Sequence, residues 1–296
     1  MTEQMDTSTR IRRGRSAASD KLIEAMYAIG EAARPITGRG VGYKLFTKGL
    51  IPSMERKEMA RVYKFLKIAR EEGTIPWGWI VDETRELEKV STWENPESFS
   101  TCVARSYRKD FWMQQSERCE VWSEKGTIRG LLSPVLDEYA VGFRVLHGFG
   151  GATTLHEVAQ EYGDSEAPLL NILYVGDYDP SGLCMSEVDI PNRLEKYSDG
   201  GFINLKRVAL LENHLSLLPS FPASDKKKDP RYKWFTKNYG RKCWEIDAMD
   251  PIELRDIVEA EIKLCIEPDE WERCAKINRA EQASLRTVLK GWKGTR

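Results

Sequence analysis

Short apolar segments alternate with helical patterns from residue 118 onward, and this alternation restricts what the chain can fold into. Four segments have the length and composition of buried strands, and a helical pattern follows each of them: RCEVWSE, FRVLHG, LLNILYVGD and KRVALLE. Strands that alternate with helices pair in parallel, so this order predicts an α/β fold with a mainly parallel sheet and helices on both faces. Ligands bind such sheets at the carboxyl ends of the strands. The side chains at those ends are therefore the first candidates for a functional site.

Two of these strand ends carry carboxylates. Glu124 ends the first strand, and the third strand runs into Asp177 and Asp179, which a single tyrosine separates. Three carboxylates on one edge repel each other unless a cation lies among them, and oxygen ligands suit Mg²⁺ or Mn²⁺. An aspartate-rich turn in which Asp179 or Ser181 only caps the next helix explains the two aspartates as well as a metal does. The glutamate at a second strand end favours the metal site.

Residues 19–81 show the order of a winged helix-turn-helix. We expect Ser19 to cap a first amphipathic helix and a second helix to follow Thr37. After a tight turn, apolar residues at helical spacing predict a third helix over 54–72, and a strand is expected over 74–81. A small helical bundle without a DNA role has the same order of elements.

Basic residues are concentrated at the front of the chain. Residues 1–80 contain 15 Lys or Arg against 9 Asp or Glu, whereas the whole chain carries 45 against 46. Lys57, Arg61 and Lys64 follow an i, i+4, i+7 spacing and so form one stripe on the predicted third helix. Such a stripe is typical of a surface that binds the phosphates of double-stranded DNA. A solvated surface with uneven charge is the alternative.

A second basic segment lies at residues 225–242, where cations and aromatic residues are interleaved. Lys227, Arg231 and Lys233 are its candidate DNA contacts, because cations bind the backbone while aromatic rings stack on exposed bases. An amphipathic helix with one solvated face explains the same pattern.

These motifs resemble a known family. EVWSEKGTIRGLL, followed some fifty residues later by YVGDYDPSG, is similar to the Rossmann-like Toprim domain, the Mg²⁺-dependent fold of topoisomerases, primases and some nucleases. The G-D-x-D-P-x-G form is most similar to the catalytic A subunit of topoisomerase VI and its meiotic double-strand-break relative. Those proteins carry a winged helix with a T-x-R-x-x-x-Y motif, and this chain reads Thr37-Gly38-Arg39-Gly40-Val41-Gly42-Tyr43.

The resemblance implies a reaction. Tyr43, activated by Arg39 or a neighbouring base, would attack a phosphodiester and leave a 5′-phosphotyrosine. An aromatic residue that packs in the winged helix with its hydroxyl at the surface is the alternative for Tyr43. Glu124, Asp177 and Asp179 would hold the metal, and Glu124 would also exchange a proton with the 3′-oxygen. In the family the tyrosine of one protomer works with the metal site of the other, so a homodimer is implied.

The chain also departs from the family pattern. Gly42 replaces the first of two consecutive tyrosines, which we expect to weaken the helix that presents Tyr43. Lys125 follows Glu124 where many Toprim proteins have glycine, which puts a cation beside the metal site. The segment ahead of the winged helix is short, so we expect it to lack the surface that engages an ATPase partner subunit. Glu245 and Asp247 resemble an acidic segment late in Toprim sequences.

These interpretations divide the chain into four parts: a basic flexible tail at 1–18, a winged-helix domain at 19–81, a linker and connecting helix at 82–112, and a Toprim domain with a C-terminal helical extension at 113–296. We expect a DNA-binding, Mg²⁺-dependent phosphodiester transesterase of the type IIB topoisomerase kind. A Toprim nuclease that uses activated water, and a non-catalytic DNA-binding protein that retains the fold, are the alternatives. No apolar run reaches the ~18 residues of a membrane span, so we expect a cytoplasmic protein, associated with the nucleoid if prokaryotic.

Overall fold

The computed structural model describes residues 16–81, 90–146, 151–163, 168–198, 202–290 and 292. These residues form two compact units, with the boundary between Ile80 and Val81. The structure combines α-helices with a parallel sheet, which confirms the α/β class expected from the sequence. Residues 1–15 of the expected tail and 82–89 of the expected linker lie outside the described residues.

The first unit consists of helices and two very short strands. Its elements are α1 (Ala17–Ala33), β1 (Ile36–Thr37), α2 (Gly38–Thr47), α3 (Arg56–Glu71) and the first residue of β2 (Ile80–Val81), which pairs with β1 and crosses the boundary to the second unit. The predicted apolar face of the third helix is buried, because Met59, Val62, Leu66 and Ala69 of α3 pack into the core of this unit.

Two local expectations for this unit need correction. Ser16, not Ser19, is the N-cap of α1: its Oγ accepts a hydrogen bond from the Ser19 amide, so the helix begins three residues earlier than expected. The strand expected over 74–81 is reduced to β2, because the Trp79 amide bonds the Pro76 carbonyl and turns the chain into a short 3₁₀ helix. α2 follows Thr37, as predicted, and Thr37 is its N-cap, because its Oγ1 accepts a hydrogen bond from the Gly40 amide at 2.9 Å.

A four-stranded parallel sheet organises the second unit. Its strands are β3 (Glu117–Ser123), β4 (Gly142–Val145), β5 (Leu169–Tyr174) and β6 (Ile203–Arg207), in the spatial order β4-β3-β5-β6. Trp122 pairs with Tyr174, and Tyr174 pairs with Arg207. The last strand lies earlier in the chain than KRVALLE predicted, because pairing with β5 begins at Ile203 and ends at Arg207, ahead of most of that apolar run.

Helices cover both faces of this sheet, as expected. Val121 and Trp122 are neighbours in β3 and point to opposite faces; Val121 packs in one buried cluster with α5 and α11, and Trp122 in another with α6 and α8. The helices of the unit are α4 (Pro96–Ser106), α5 (Thr127–Tyr139), α6 (Ala152–Tyr162), α7 (Pro180–Cys184), α8 (Ile190–Tyr197), α9 (Glu212–Leu215), α10 (Tyr232–Asn238), α11 (Pro251–Leu264) and α12 (Pro268–Leu289). A π-helical turn at Met185–Asp189 joins α7 to α8, and β7 (Phe221–Pro222) pairs antiparallel with β8 (Lys242–Cys243).

Candidate site at the carboxyl ends of the parallel strands

The three predicted acids follow two adjacent strands. Glu124 comes directly after β3, and Asp177 and Asp179 follow β5, which pairs with β3 along its length. Asp177 and Asp179 are only 7% and 3% exposed, and Glu124 is partly buried. Because parallel strands place their carboxyl ends at one edge, this sheet brings the three side chains to the same region, which we call the acidic edge.

Asp179 combines two roles. Its Oδ1 accepts a hydrogen bond from the Gly182 amide at 2.8 Å and so caps α7, which is the capping role weighed for it from the sequence. Its Oδ2 lies 3.0 Å from the Nζ of Lys226. Both carboxylate oxygens of Asp179 therefore have partners within the chain.

Asp177 is held by a lysine and a backbone amide. Its Oδ1 accepts hydrogen bonds from the Nζ of Lys125 and from the Ile246 amide, each at 2.8 Å. The same ammonium group donates to Oδ2 of Asp247 at 3.1 Å. Lys125 thus links the end of β5 to the segment before α11, and the cation that the sequence places beside this site forms two ion pairs there.

A buried arginine, missed by the sequence analysis, supports the turn after β5. Arg207 ends β6 and donates hydrogen bonds to the carbonyl oxygens of Gly176, at 2.8 Å, and of Asp177. It also donates to the Oγ of Ser186 at 3.2 Å. These bonds fix the backbone that carries the aspartates.

The charged groups of the acidic edge have shifted pKa values, and the causes differ from group to group. Burial, followed by repulsion from Asp177 and Asp179, raises the pKa of Glu124 from its ordinary value of 4.5 to about 7. Burial disfavours the charged form of Lys125, but the carboxylates of Asp177 and Asp247 outweigh it and raise the pKa of Lys125 above its ordinary value. Burial raises the pKa of Asp177 as well, although Lys125 and the Ile246 amide favour its charged form.

The arrangement does not fit a divalent metal ion as folded. Among the described residues, no group of three or more His, Cys, Asp or Glu side chains is arranged to hold a metal. Lys125 and Lys226 lie against two of the three predicted ligands. The expectation of Mg²⁺ or Mn²⁺ at this edge stays a prediction.

Tyr43 and Arg39 lie on α2 in the first unit. Tyr43 is buried, and the guanidinium carbon of Arg39, one turn earlier, lies 5.8 Å from the centre of its ring. The helix is continuous despite Gly42, where a Cβ atom would come within 2.5 Å of the Sδ of Met59. The glycine at that position allows α2 to pack closely on α3.

The basic residues expected to contact DNA differ in solvent exposure and in whether they pair with an acid. Lys57, Arg61 and Lys64 are exposed on α3, although Arg61 also pairs with Glu58 at 3.1 Å. In the second basic segment Lys227 and Lys233 are exposed. Arg231 instead forms two hydrogen bonds with the carboxylate of Asp229, at 2.6 and 2.8 Å.

The aromatic residues of that segment do not all face solvent. Phe235 is fully buried and packs edge to face on Tyr178, whose ring also contacts Tyr239 and Trp244. Phe235 is thus not available to stack on a base. The amphipathic-helix interpretation describes α10 better than the stacking one.

No protein-family model, curated protein or solved structure matches the chain. The resemblance to the topoisomerase VI A subunit therefore depends on the motifs quoted from the sequence. Within the part of the chain that the structure describes, every helix is too short or too polar to cross a bilayer.

Proposed function

We propose that the protein binds double-stranded DNA and breaks a phosphodiester bond by transesterification, in the manner of the topoisomerase VI A subunit. One observation carries the proposal: Glu124 follows β3 and the two aspartates follow β5, and these two strands are paired in parallel with Trp122 opposite Tyr174. Acids that are far apart in sequence therefore share the sheet edge at which α/β proteins bind ligands.

The proposed reaction uses groups of the chain itself. The hydroxyl of Tyr43 gives up its proton to solvent water as its oxygen attacks the phosphorus, the bond to the 3′-oxygen breaks, and a 5′-phosphotyrosine forms. A carboxyl with a pKa of about 7 retains a proton on part of the molecules at neutral pH, so Glu124 is the proposed proton donor to the 3′-oxygen. The partly exposed ammonium groups of Lys125 and Lys226 favour an anionic phosphate at the edge.

The assembly follows from the resemblance. Tyr43 of one protomer would act with the acidic edge of its partner in a homodimer. We propose a cytoplasmic location, at the nucleoid if the source is prokaryotic, and no membrane association. An ATPase partner subunit is not part of the proposal.

The test is a cleavage assay with a protein-release step. Purified protein is incubated with supercoiled plasmid and Mg²⁺, Mn²⁺ or EDTA, then denatured with and without protease. We expect cut DNA that enters the gel only after protease treatment, and the family resemblance predicts that EDTA abolishes it. Tyr43→Phe should lose both cleavage and adducts, whereas Tyr27→Phe, in the same unit, should keep them. Cleavage that persists in Tyr43→Phe would contradict transesterification and favour the water-using nuclease.

A second candidate function has its own support. The ion pairs of Lys125 with Asp177 and of Lys226 with Asp179 engage two of the three acids, as expected of a DNA-binding protein that retains the fold without catalysis. This candidate predicts salt-dependent DNA binding with no cut product under any of the metal conditions.

A further inference from the structure

Two lysines from distant parts of the sequence converge on the acidic edge. Lys125 directly follows Glu124, and Lys226 lies after β7, yet each places its Nζ within 3.0 Å of one of the two aspartates. The aspartate side chains are almost fully buried, with 10% and 4% of their surface exposed. Buried carboxylates require partners, and here the partners are ammonium groups.

Three cations offset part of the negative charge at the edge. Its carboxylates are Glu124, Asp177, Asp179 and Asp247, together with Glu245, whose charge acts on both Lys125 and Lys226. Lys125 pairs with Asp177 and Asp247, Lys226 pairs with Asp179, and the buried guanidinium of Arg207 adds a third positive charge behind the turn. The aspartates therefore already have counter-charges within the chain, which is the part a divalent ion would otherwise supply.

The ion pairs occupy oxygen atoms on both aspartates. Oδ1 of Asp177 accepts from both Lys125 and Ile246, and the two oxygens of Asp179 face Gly182 and Lys226. A metal ion bound through Oδ1 of Asp177 and Oδ2 of Asp179 would have to displace both ammonium groups, and an ion bound through other oxygens of the edge would lie beside their positive charges.

We infer that Lys125 and Lys226 act as built-in cations in place of the divalent metal, so that the acidic edge of the wild-type protein is complete without Mg²⁺ or Mn²⁺. The inference departs from the metal dependence that the family resemblance predicts. It rests on the ion pairs and not on the proposed DNA reaction.

The test measures Mn²⁺ binding without DNA. The full chain is titrated with MnCl₂, and free Mn²⁺ is followed by electron paramagnetic resonance, with Tm measured in parallel. We expect no Mn²⁺ binding and no change in Tm for the wild-type protein. The double variant Lys125→Met, Lys226→Met should bind Mn²⁺ at least about tenfold more tightly and gain Tm on its addition, since two positive charges next to the carboxylates are gone.

Control variants separate charge from folding. Lys125→Arg keeps the cation and should stay free of Mn²⁺, and Lys263→Met removes a lysine that pairs with Glu259 on α11 and should behave as wild type. If the loss of Lys125 prevents folding, as judged by circular dichroism, the single variant Lys226→Met is titrated with Mn²⁺ instead, because Asp179 keeps its hydrogen bond to the Gly182 amide. Mn²⁺ binding by the wild type as tight as that of the variants would overturn the inference. A folded double variant that binds no Mn²⁺ would overturn it as well.

Discussion

The carboxyl group of Glu124 makes no hydrogen bond to another described residue, although it is partly buried and the charges of Asp177 and Asp179 act on it. A raised carboxyl pKa means that the folded state binds a proton more tightly than the unfolded state. The free energy of unfolding therefore falls as pH rises from 4.5 to about 7, and the penalty is complete above that interval. The raised pKa that lowers stability above this interval is the property that the proposed role of Glu124 as proton donor requires.

Replacing Glu124 with Gln removes this penalty. We expect Glu124→Gln to match the wild type below the interval and to be more stable above it, on the order of 2 kcal/mol after allowing for solvent that reaches the side chain. Urea unfolding on both sides of the interval measures the difference, and Glu157→Gln, on the exposed face of α6, is the control. A stability gain that is equal at both pH values would contradict a titrating Glu124.

Some residues of the acidic edge could be predicted from the sequence, and others could not. Glu124, Asp177 and Asp179 were predictable because each follows an apolar strand, and Lys125 because it is adjacent to Glu124. Lys226 was not, because only the tertiary fold brings it to Asp179. Arg207 was placed near the start of the strand predicted at KRVALLE, but it ends β6. That shift moves it from the amino-terminal to the carboxyl-terminal edge of the sheet.

At the scale of elements, the turn from β5 into α7 depends on the absence of one side chain. A Cβ atom at Gly182 would lie 2.3 Å from the carbonyl oxygen of Asp177, and backbone at this position has little room to move. We expect Gly182→Ala to destabilise the protein by roughly 2–3 kcal/mol, a typical value for overpacking. Gly78→Ala, where no atom of the described residues lies within 4 Å of the added Cβ, should change stability little. Chemical denaturation of both variants makes the comparison, and equal stabilities would contradict the close approach.

The exposed stripe of α3 is the element on which DNA binding depends in this proposal. Replacing Lys57, Arg61 and Lys64 together with Ala should weaken binding to every DNA sequence and lower the slope of log K against log salt by up to roughly 3, at about 0.9 per lost phosphate contact. Fluorescence anisotropy at several salt concentrations measures the slope. An unchanged slope would place the DNA elsewhere on the protein, and Lys67→Ala, whose lysine pairs with Glu71, controls for loss of charge alone.

Element boundaries were less predictable than element types. The apolar spacing of α3 gave the right buried face, because periodicity reports which side of a helix meets the core. The start of α1 and the extent of β6 were wrong, because caps and strand pairing depend on contacts that spacing does not encode. The prediction of the acidic edge was affected at one position, Arg207, because the end of β6 lies there.

At the scale of the whole molecule, the proposal separates the nucleophile from the acidic edge. Tyr43 belongs to the unit that ends at Ile80, and Glu124, Asp177 and Asp179 belong to the unit that begins at Val81. The resemblance implies that the two groups meet between protomers, and this arrangement can be tested by mixing two inactive proteins.

We expect Tyr43→Phe and Glu124→Gln each to be inactive as homodimers. In a mixed dimer that works between protomers, Tyr43 of the Glu124→Gln chain meets Glu124 of the Tyr43→Phe chain, so one of the two sites is intact. The other site lacks both groups. Such a dimer should nick supercoiled plasmid on one strand and leave one protease-sensitive adduct, without making double-strand breaks. If tyrosine and edge worked within one chain, both sites would be dead and the mixture inactive. An inactive mixture, with mixed dimers shown by differently tagged chains that co-purify, would therefore contradict the arrangement between protomers while leaving cleavage by the wild type intact.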